Sequence, residues 1–437
     1  MVANFTLNTT QYNVGEDIKI TNTSTSNSEI VSYLYDFGNG TSSTEKEPTF
    51  YYSNPGEYII KLTIKNSDGV TESISTKVTV TMDDSFFQDT LRSVDEETIP
   101  LEIGLKDDEI FITVSQSVTT NPAETKYYFM HITYAEKNPT LSYYQYFEKE
   151  YYSGHASTTF LNNGKKIINI AQTSDVNLWG YNEVNVDENG YTFTEQMYGS
   201  KVVYGSMPNN DQYYFYGAAN NIPSIEIRNA SGEFNSINQY SAIENGFIGD
   251  LIKNGNGYIA FGGKFDISSD LNASDFSNYK PMIAFFDENL VLTNQKTFEV
   301  SLSEKPKKWN DINGSFTIRK LSNGNFALYS HDNLIVVSPS GEMIKTVKIS
   351  NHNININALI AVEDGFIIST FKQLEKYDNS GNLQKAIASK GFMTPGFVKK
   401  GNLIYFASAY NSTYKEYTTV RTFFGAVDSN LNYKKQN

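Results

Sequence analysis

Three carboxylates, Glu244, Asp250 and Asp311, stand near the starts of apolar, strand-like runs. A facing pair of such acids is the minimum equipment for cleaving a glycosidic bond. Two tryptophans, Trp179 and Trp309, stand instead among polar neighbours: Asn177, Gly180 and Asn182 around the first, Lys307, Lys308 and Asn310 around the second. A flat indole there can stack on the C–H face of a sugar ring while nearby Asn and Asp bond its hydroxyls. The alternative is loop packing, in which only the indole N–H needs a partner. His155 falls in a similar polar segment, and Tyr410 opens another, Tyr410–Tyr417. These four residues, Trp179, Trp309, His155 and Tyr410, are the expected ligand contacts. His155 and His352 are the general acid/base candidates, each also readable as a solvated or hydrogen-bonded loop residue.

Other chemistries find less material. Asp266, Asp270 and Asp275 share the segment Lys264–Lys280, but without the tight acidic loop and fixing glycine that calcium favours, so no metal site is expected. The chain has no cysteine, which excludes disulfides and thiolate chemistry. No Gly-x-Ser-x-Gly elbow, His-Glu-x-x-His pair or phosphate-cradling glycine loop occurs, and no cofactor is expected. A formal net charge of −14 argues against nucleic acid or anionic lipid as partner. No apolar run of about 18 residues exists to span a membrane as a helix. The Asn-, Thr-, Ser- and Tyr-rich texture suggests a monomer secreted or anchored outside a cell, its leader removed and Met1 supplied for expression.

The elements that must position these residues are strands throughout. After Asp83-Asp84 a unit of strand, Asx/Gly turn, aromatic-rich strand, variable loop, third strand, second turn and fourth strand recurs. Its first turn appears at Lys106-Asp107-Asp108, Asn162-Asn163-Gly164, Asn209-Asn210-Asp211, Asn256-Gly257, Asn323-Gly324, Asp364-Gly365 and Lys400-Gly401. The second turn is the better clock, as in Asn229-Ala230-Ser231-Gly232, Ser338-Pro339-Ser340-Gly341 and Asp378-Asn379-Ser380-Gly381. Units of about 40–50 residues with four strands are propeller blades, because one blade cannot bury both its faces alone. The spacing predicts a β-propeller of seven blades over 85–437, six or eight being the alternatives and a β-solenoid the rival architecture. The variable loops Ser117–Thr125, Ser174–Tyr181, Ala218–Pro223, Lys264–Lys280 and Tyr410–Tyr417 are then expected on one face, with function concentrated there.

Residues 1–82 read differently: short alternating runs broken by Asn, Gly and Ser, the pattern of a β-sandwich. The string Tyr33-Leu34-Tyr35-Asp36-Phe37-Gly38-Asn39-Gly40, then Pro48-Thr49-Phe50-Tyr51-Tyr52, Pro55-Gly56-Glu57-Tyr58 and Leu62-Thr63-Ile64 resembles the PKD domain family. Tyr35 stands where that family usually has Trp, and Asn39 where Asp is usual. The resemblance implies an immunoglobulin-like sandwich serving as spacer, adhesive or carbohydrate-facing module, without catalysis. The layout of such a domain before a degenerate propeller resembles secreted and outer-surface proteins of Bacteroidetes-type bacteria. The sequence therefore predicts an all-β, non-catalytic binding protein whose partner is a polysaccharide or a surface protein. The alternative is a polysaccharide-degrading enzyme with a carboxylate pair in the propeller funnel.

Overall fold

The computed structural model describes residues 1–13, 17–52, 56–81, 96–121, 124–135, 138–147, 156–173, 179–187, 190–196, 201–265, 279–301, 316–349, 358–371, 373–389, 391–392, 394–414 and 417–433. All are strand, turn or coil apart from one 3-10 turn, Ser241–Ile243. In the N-terminal sandwich, a five-stranded sheet runs in the order Gln11–Asn13, Thr71–Thr81, Gly56–Asn66, Ile30–Asp36, Ser42–Ser43. Alternation along Gly56–Asn66 turns Ile60, Leu62 and Ile64 into a core with Phe5, Ile18, Tyr35 and Val78, while Lys61 points out. Tyr35 fills its core position with the ring and satisfies its hydroxyl locally. It accepts from Asn22 Nδ2 at 2.7 Å and donates to the Lys46 carbonyl at 3.1 Å. Asp36 and Asn39 act as turn residues, their side-chain oxygens accepting the Gly38 and Thr41 amides at 2.9 and 3.0 Å.

Seven antiparallel sheets follow. Blades 1 to 6 have four strands each, in chain order from inside to outside, and begin with Glu96–Lys106, Ala156–Phe160, Lys201–Asn209, Gly246–Asn254, Phe316–Lys320 and Leu359–Val362. Blade 7 has three strands, Phe397–Lys400, Leu403–Tyr414 and Tyr417–Asp428, with a single Val427–Tyr433 bridge where a fourth would lie. Each first strand touches the first strand of the next blade, and that of blade 7 touches that of blade 1. This is the propeller arrangement. The ring closes by packing: Ile103, Ile112 and Val114 of blade 1 meet Val398, Ala407 and Phe424 of blade 7. The Thr422 amide also donates to Thr98 Oγ1 at 2.9 Å. The terminal segment joins blade 7 through Tyr433.

In blades 3, 4, 6 and 7 the second turn is a repeated local device. Its first side chain accepts two amides, two and four residues on: Asn229 from Ser231 and Glu233, Asp287 from Asn289 and Val291, Asp378 from Ser380 and Asn382, Asp428 from Asn430 and Asn432. The fourth residue is left-handed, φ 83° at Gly232 and 81° at Gly341, or 60° at Leu290 and 57° at Leu431. Glycine appears where the turn lies directly on the preceding blade. A Cβ on Gly232 would meet Leu161 at 2.7 Å, and one on Gly341 would meet the Phe285 ring at 3.0 Å. Leu290 and Leu431 instead insert their side chains into the inter-blade core, where both are buried.

Three of the expected variable loops are not loops; in Ser117–Thr125, residues 117–121 and 124–125 are strand, with Asn121 opposite Glu124. Ala218–Pro223 is a tight turn with Asn220 and Asn221 both left-handed (φ 54° and 62°), which lets Ala219 pair directly with Ile222. Residues 410–414 continue the strand Leu403–Tyr414, because β-branched and aromatic residues there pair across to Tyr417–Asp428.

The turn geometry makes a paired prediction. Gly341→Ala combines backbone strain with the Phe285 contact, whereas Gly324→Ala (φ 88°) meets only Pro339 at 3.9 Å. Urea unfolding should give a loss of about 1 kcal/mol for Gly324→Ala and roughly 1 kcal/mol more for Gly341→Ala. Equal losses would show that the turn does not bear on blade packing.

Candidate functional site

The first strands of all seven blades surround one axial cavity of about 240 Å³. Its polar lining comes from Glu102 (blade 1), Ser157 and Thr158 (blade 2), Tyr204, Ser206 and Tyr216 (blade 3), Asp250 (blade 4) and Thr317 and Arg319 (blade 5). The sides from blades 6 and 7 are Ala358, Leu359, Pro395, Gly396 and Phe397. The cavity is thus polar on one side and apolar on the other.

Local backbone irregularity aims these side chains. The first strands of blades 1, 3 and 4 each carry a register shift at the equivalent place, between Pro100 and Glu102, Val203 and Gly205, and Ile248 and Asp250. A bulge bends its strand and re-aims the residue beside it, and here two of the three residues so placed are acids. The third is Gly205, and a Cβ there would overlap the Tyr216 hydroxyl at 2.2 Å. Glycine at 205 is therefore what lets the Tyr216 phenol reach the axis.

Each acid ties its own blade to the next one. Glu102 Oε1 accepts the Thr158 amide at 2.8 Å, and Oε2 accepts the Thr158 and Thr113 hydroxyls at 2.7 and 3.2 Å. Asp250 Oδ2 accepts the Ile318 amide at 3.0 Å and Arg319 Nη1 at 2.7 Å, while Oδ1 accepts the Leu251 amide at 2.9 Å and faces the Tyr216 hydroxyl at 3.4 Å. The geometry is the same twice over: an acid just after a bulge takes a backbone N–H from the first strand of the following blade. Burial pushes the Glu102 carboxyl up to about 7, against the pull of the Thr158 and Thr113 hydrogen bonds. Burial also drives the Tyr216 phenol well above its ordinary range, helped by the charge of Asp250.

Arg319 is the exposed member, its side chain 40% accessible. Nη1 is committed to Asp250 and to the Ile318 carbonyl at 2.6 Å. Among the described residues, nothing engages its Nη2 or Nε, and nothing engages the Ser157 hydroxyl. The open hydrogen-bonding capacity of the cavity is therefore mainly donor capacity.

The residues expected from sequence fare unevenly. Of the proposed acids, Asp250 reaches the axis. Glu244 does not: it sits exposed after the 3-10 turn at φ 61°, paired with Lys264 at 2.9 Å, because its segment links blades instead of lining the cavity. Asp311 lies outside the described residues. Tyr410, expected on a loop, is a strand residue 6% exposed, packed in the core with Ile404, Phe406 and Phe423. Trp179 begins the third strand of blade 2, its backbone opposite Thr173. The Trp179 side chain, Trp309, His155, His352 and the acids Asp266, Asp270 and Asp275 all lie outside the described residues. Glu102, Tyr216 and Arg319 were missed. A signal existed: each charged lining residue stands five positions before the left-handed residue of its first turn, Glu102 before Asp107, Asp250 before Gly255 and Arg319 before Gly324.

Residues 2–82 match the PKD domain family. Over 77 residues the chain is 42% identical to collagenase ColA of Bacillus cereus, a match that covers 18% of this chain and 8% of the collagenase. The chain thus corresponds to only a small part of that relative. The crystal structure of the PKD1 domain from the Vibrio cholerae metalloprotease PrtV is 39% identical, covering 18% of this chain and 94% of that domain, with a TM-score of 0.17. The extracellular domains 1-2 of Drosophila Semaphorin 1a align over 78% of this chain and 88% of theirs at 8% identity, with a TM-score of 0.44.

The raised Glu102 pKa has a defined signature. The unfolded chain ionises this group near 4.5 and the folded chain near 7. Its neutral form therefore carries no penalty below the first value. Stability is lost as pH rises from about 4.5 to about 7, on the order of 3 kcal/mol from this group, and then levels off. Glu102→Gln keeps an acceptor for the Thr158 amide and removes the titration. The stability difference between variant and parent, measured by urea unfolding, should grow across that window in favour of the variant. A difference that stays constant with pH would refute the assignment.

Proposed function

We propose that this chain is a non-catalytic binding protein of the extracellular space, secreted or anchored at a cell surface, in which the PKD module is a spacer and the propeller holds the ligand. One observation carries the reading: the axial cavity is lined by every blade, and both of its carboxylates are spent on holding adjacent blades together. An acid whose oxygens already accept backbone and hydroxyl donors is poorly placed to deliver a proton or attack a sugar carbon. The ligand class that fits a small cavity with hydroxyls, a guanidinium and one apolar wall is carbohydrate, which presents alternating C–H and O–H surfaces. The extracellular assignment draws on the likeness of residues 2–82 to modules carried by a collagenase and a metalloprotease.

A second reading has one observation in its favour. Glu102, whose carboxyl burial pushes up to about 7, and Asp250, ion-paired with Arg319, are two carboxyl groups in different environments around one cavity. On that reading the chain cleaves polysaccharide.

One assay separates the two. The full chain is incubated with a panel of oligosaccharides, and binding by calorimetry is recorded beside release of reducing ends. Saturable binding without new reducing ends supports the binding protein. Release of reducing ends by the parent, lost in both Glu102→Gln and Asp250→Asn while the fold persists, would overturn it in favour of the enzyme.

A further inference from the structure

Resting on the reading of the axial cavity as the ligand site, we propose that its ligand is a sugar acid, a single uronate unit whose carboxylate sits on the free edge of Arg319 and whose hydroxyls meet Ser157 and the Tyr216 side of the cavity. The guanidinium is already oriented. Asp250 and the Ile318 carbonyl fix Nη1, so Nε and Nη2 present a planar pair of donors at no further ordering cost. A carboxylate is the group whose two oxygens match such a pair, and a neutral hydroxyl would use half of it. Ser157 supplies a second uncommitted donor on the same lining, one strand position from Thr158.

Charge permits this despite the acidic chain. Arg319 and Asp250 neutralise each other locally, and burial, which pushes the Glu102 carboxyl up to about 7, reduces the negative charge that Glu102 adds to the lining below that pH. The remaining surface charge is screened over about 8 Å at physiological ionic strength. One carboxylate in the cavity is thus tolerated where an extended polyanion lying along the surface would be repelled. Size agrees: about 240 Å³ corresponds to roughly eight waters at about 30 Å³ each, which suits one sugar ring and not a longer segment. The uronate is then either a free molecule or the last residue of an acidic polysaccharide.

Calorimetry on the full chain tests this with D-glucuronate, D-galacturonate, their methyl esters, D-glucose and a uronate trimer. At least one free uronate should bind about tenfold tighter than its methyl ester or glucose, the loss of one charge-assisted bidentate contact. Arg319→Gln should abolish that preference, so that uronates bind no tighter than their methyl esters or glucose. Arg319→Lys, which keeps the charge and the Asp250 pair without the planar fork, should fall between and serves if the Gln variant unfolds. Equal affinity for monomer and trimer identifies a free sugar acid, and a tighter trimer identifies a chain end. Neutral sugars bound as well as uronates, by parent and Arg319→Gln alike, would overturn the carboxylate while leaving the cavity a sugar site. No binding of any sugar by the folded parent would overturn both.

Discussion

A four-stranded sheet with large apolar side chains on both faces needs a neighbour on each side, and a ring gives every sheet two. Nearly everything else in the C-terminal part of this protein follows from that requirement. Phe247, Phe261 and Phe316 of blades 4 and 5, with Tyr216 of blade 3 and Leu328 of blade 5, belong to one continuous core. Tyr329, Leu334, Phe366 and Tyr377 carry the packing from blade 5 to blade 6. The closure between blades 7 and 1 uses the same means, aliphatic and aromatic side chains, with no strand borrowed into blade 1 among the described residues. A closed ring also forces all first strands toward one axis, where side chains from different blades must share a small volume.

That crowding accounts for the way side chains are arranged at the axis. First strands lie too close together there for large residues in every blade, so glycines appear where a neighbour intrudes: a Cβ on Gly249 would strike Phe316 Cβ at 2.4 Å. First strands are edge strands whose axis-facing N–H groups have no ladder partner, and Glu102 and Asp250 accept two of them, from Thr158 and Ile318 of the adjoining blades. The acids are thus part of how the ring is held. Arg319 is held in turn by Asp250, which makes it the most pre-organised exposed donor on the cavity wall.

How much of this could be read from the chain depends on the range of each interaction. The turns were legible because an Asx side chain bonding amides two and four residues on, followed by a left-handed glycine, is wholly local chemistry. The sandwich was legible for the same reason, since Asp36, Gly38 and Asn39 build their turn from neighbours in sequence. Asp250 was noticed only as an acid near a strand start, and Glu102 and Arg319 were not noticed at all. Their roles depend on bulges and on partners in another blade, Thr158 for Glu102 and Asp250 for Arg319, separated by tens of residues. Tyr410 failed in the opposite direction: polar neighbours such as Asn411 and Ser412 suggested a loop, but strand pairing out to Tyr414 overrode composition.

The contact between blades 2 and 3 shows the same logic applied away from the axis. Its apolar cluster is confined to Leu161, Ile167, Val203, Tyr213 and Phe215, and a buried ionic network stands beside it. Arg228 donates to Glu226 at 2.6 Å and to Glu183 of blade 2 at 2.7 Å, stacks its guanidinium 4.3 Å from the Phe215 ring centre, and shares Glu226 with Lys201. Two acids and two bases balance, so no net charge is buried, but the desolvation cost makes such a network a weak source of stability. What it adds is geometry. An apolar contact tolerates sliding, whereas Glu183 meets Arg228 in only one relative placement of the two blades. Ser157, Asn169 and Glu183 are register partners across blade 2, so they lie in a row that starts at the axial cavity and ends at this network. The residue that ties blade 3 to blade 2 therefore stands in line with the serine that lines the cavity, two strands away in the same sheet.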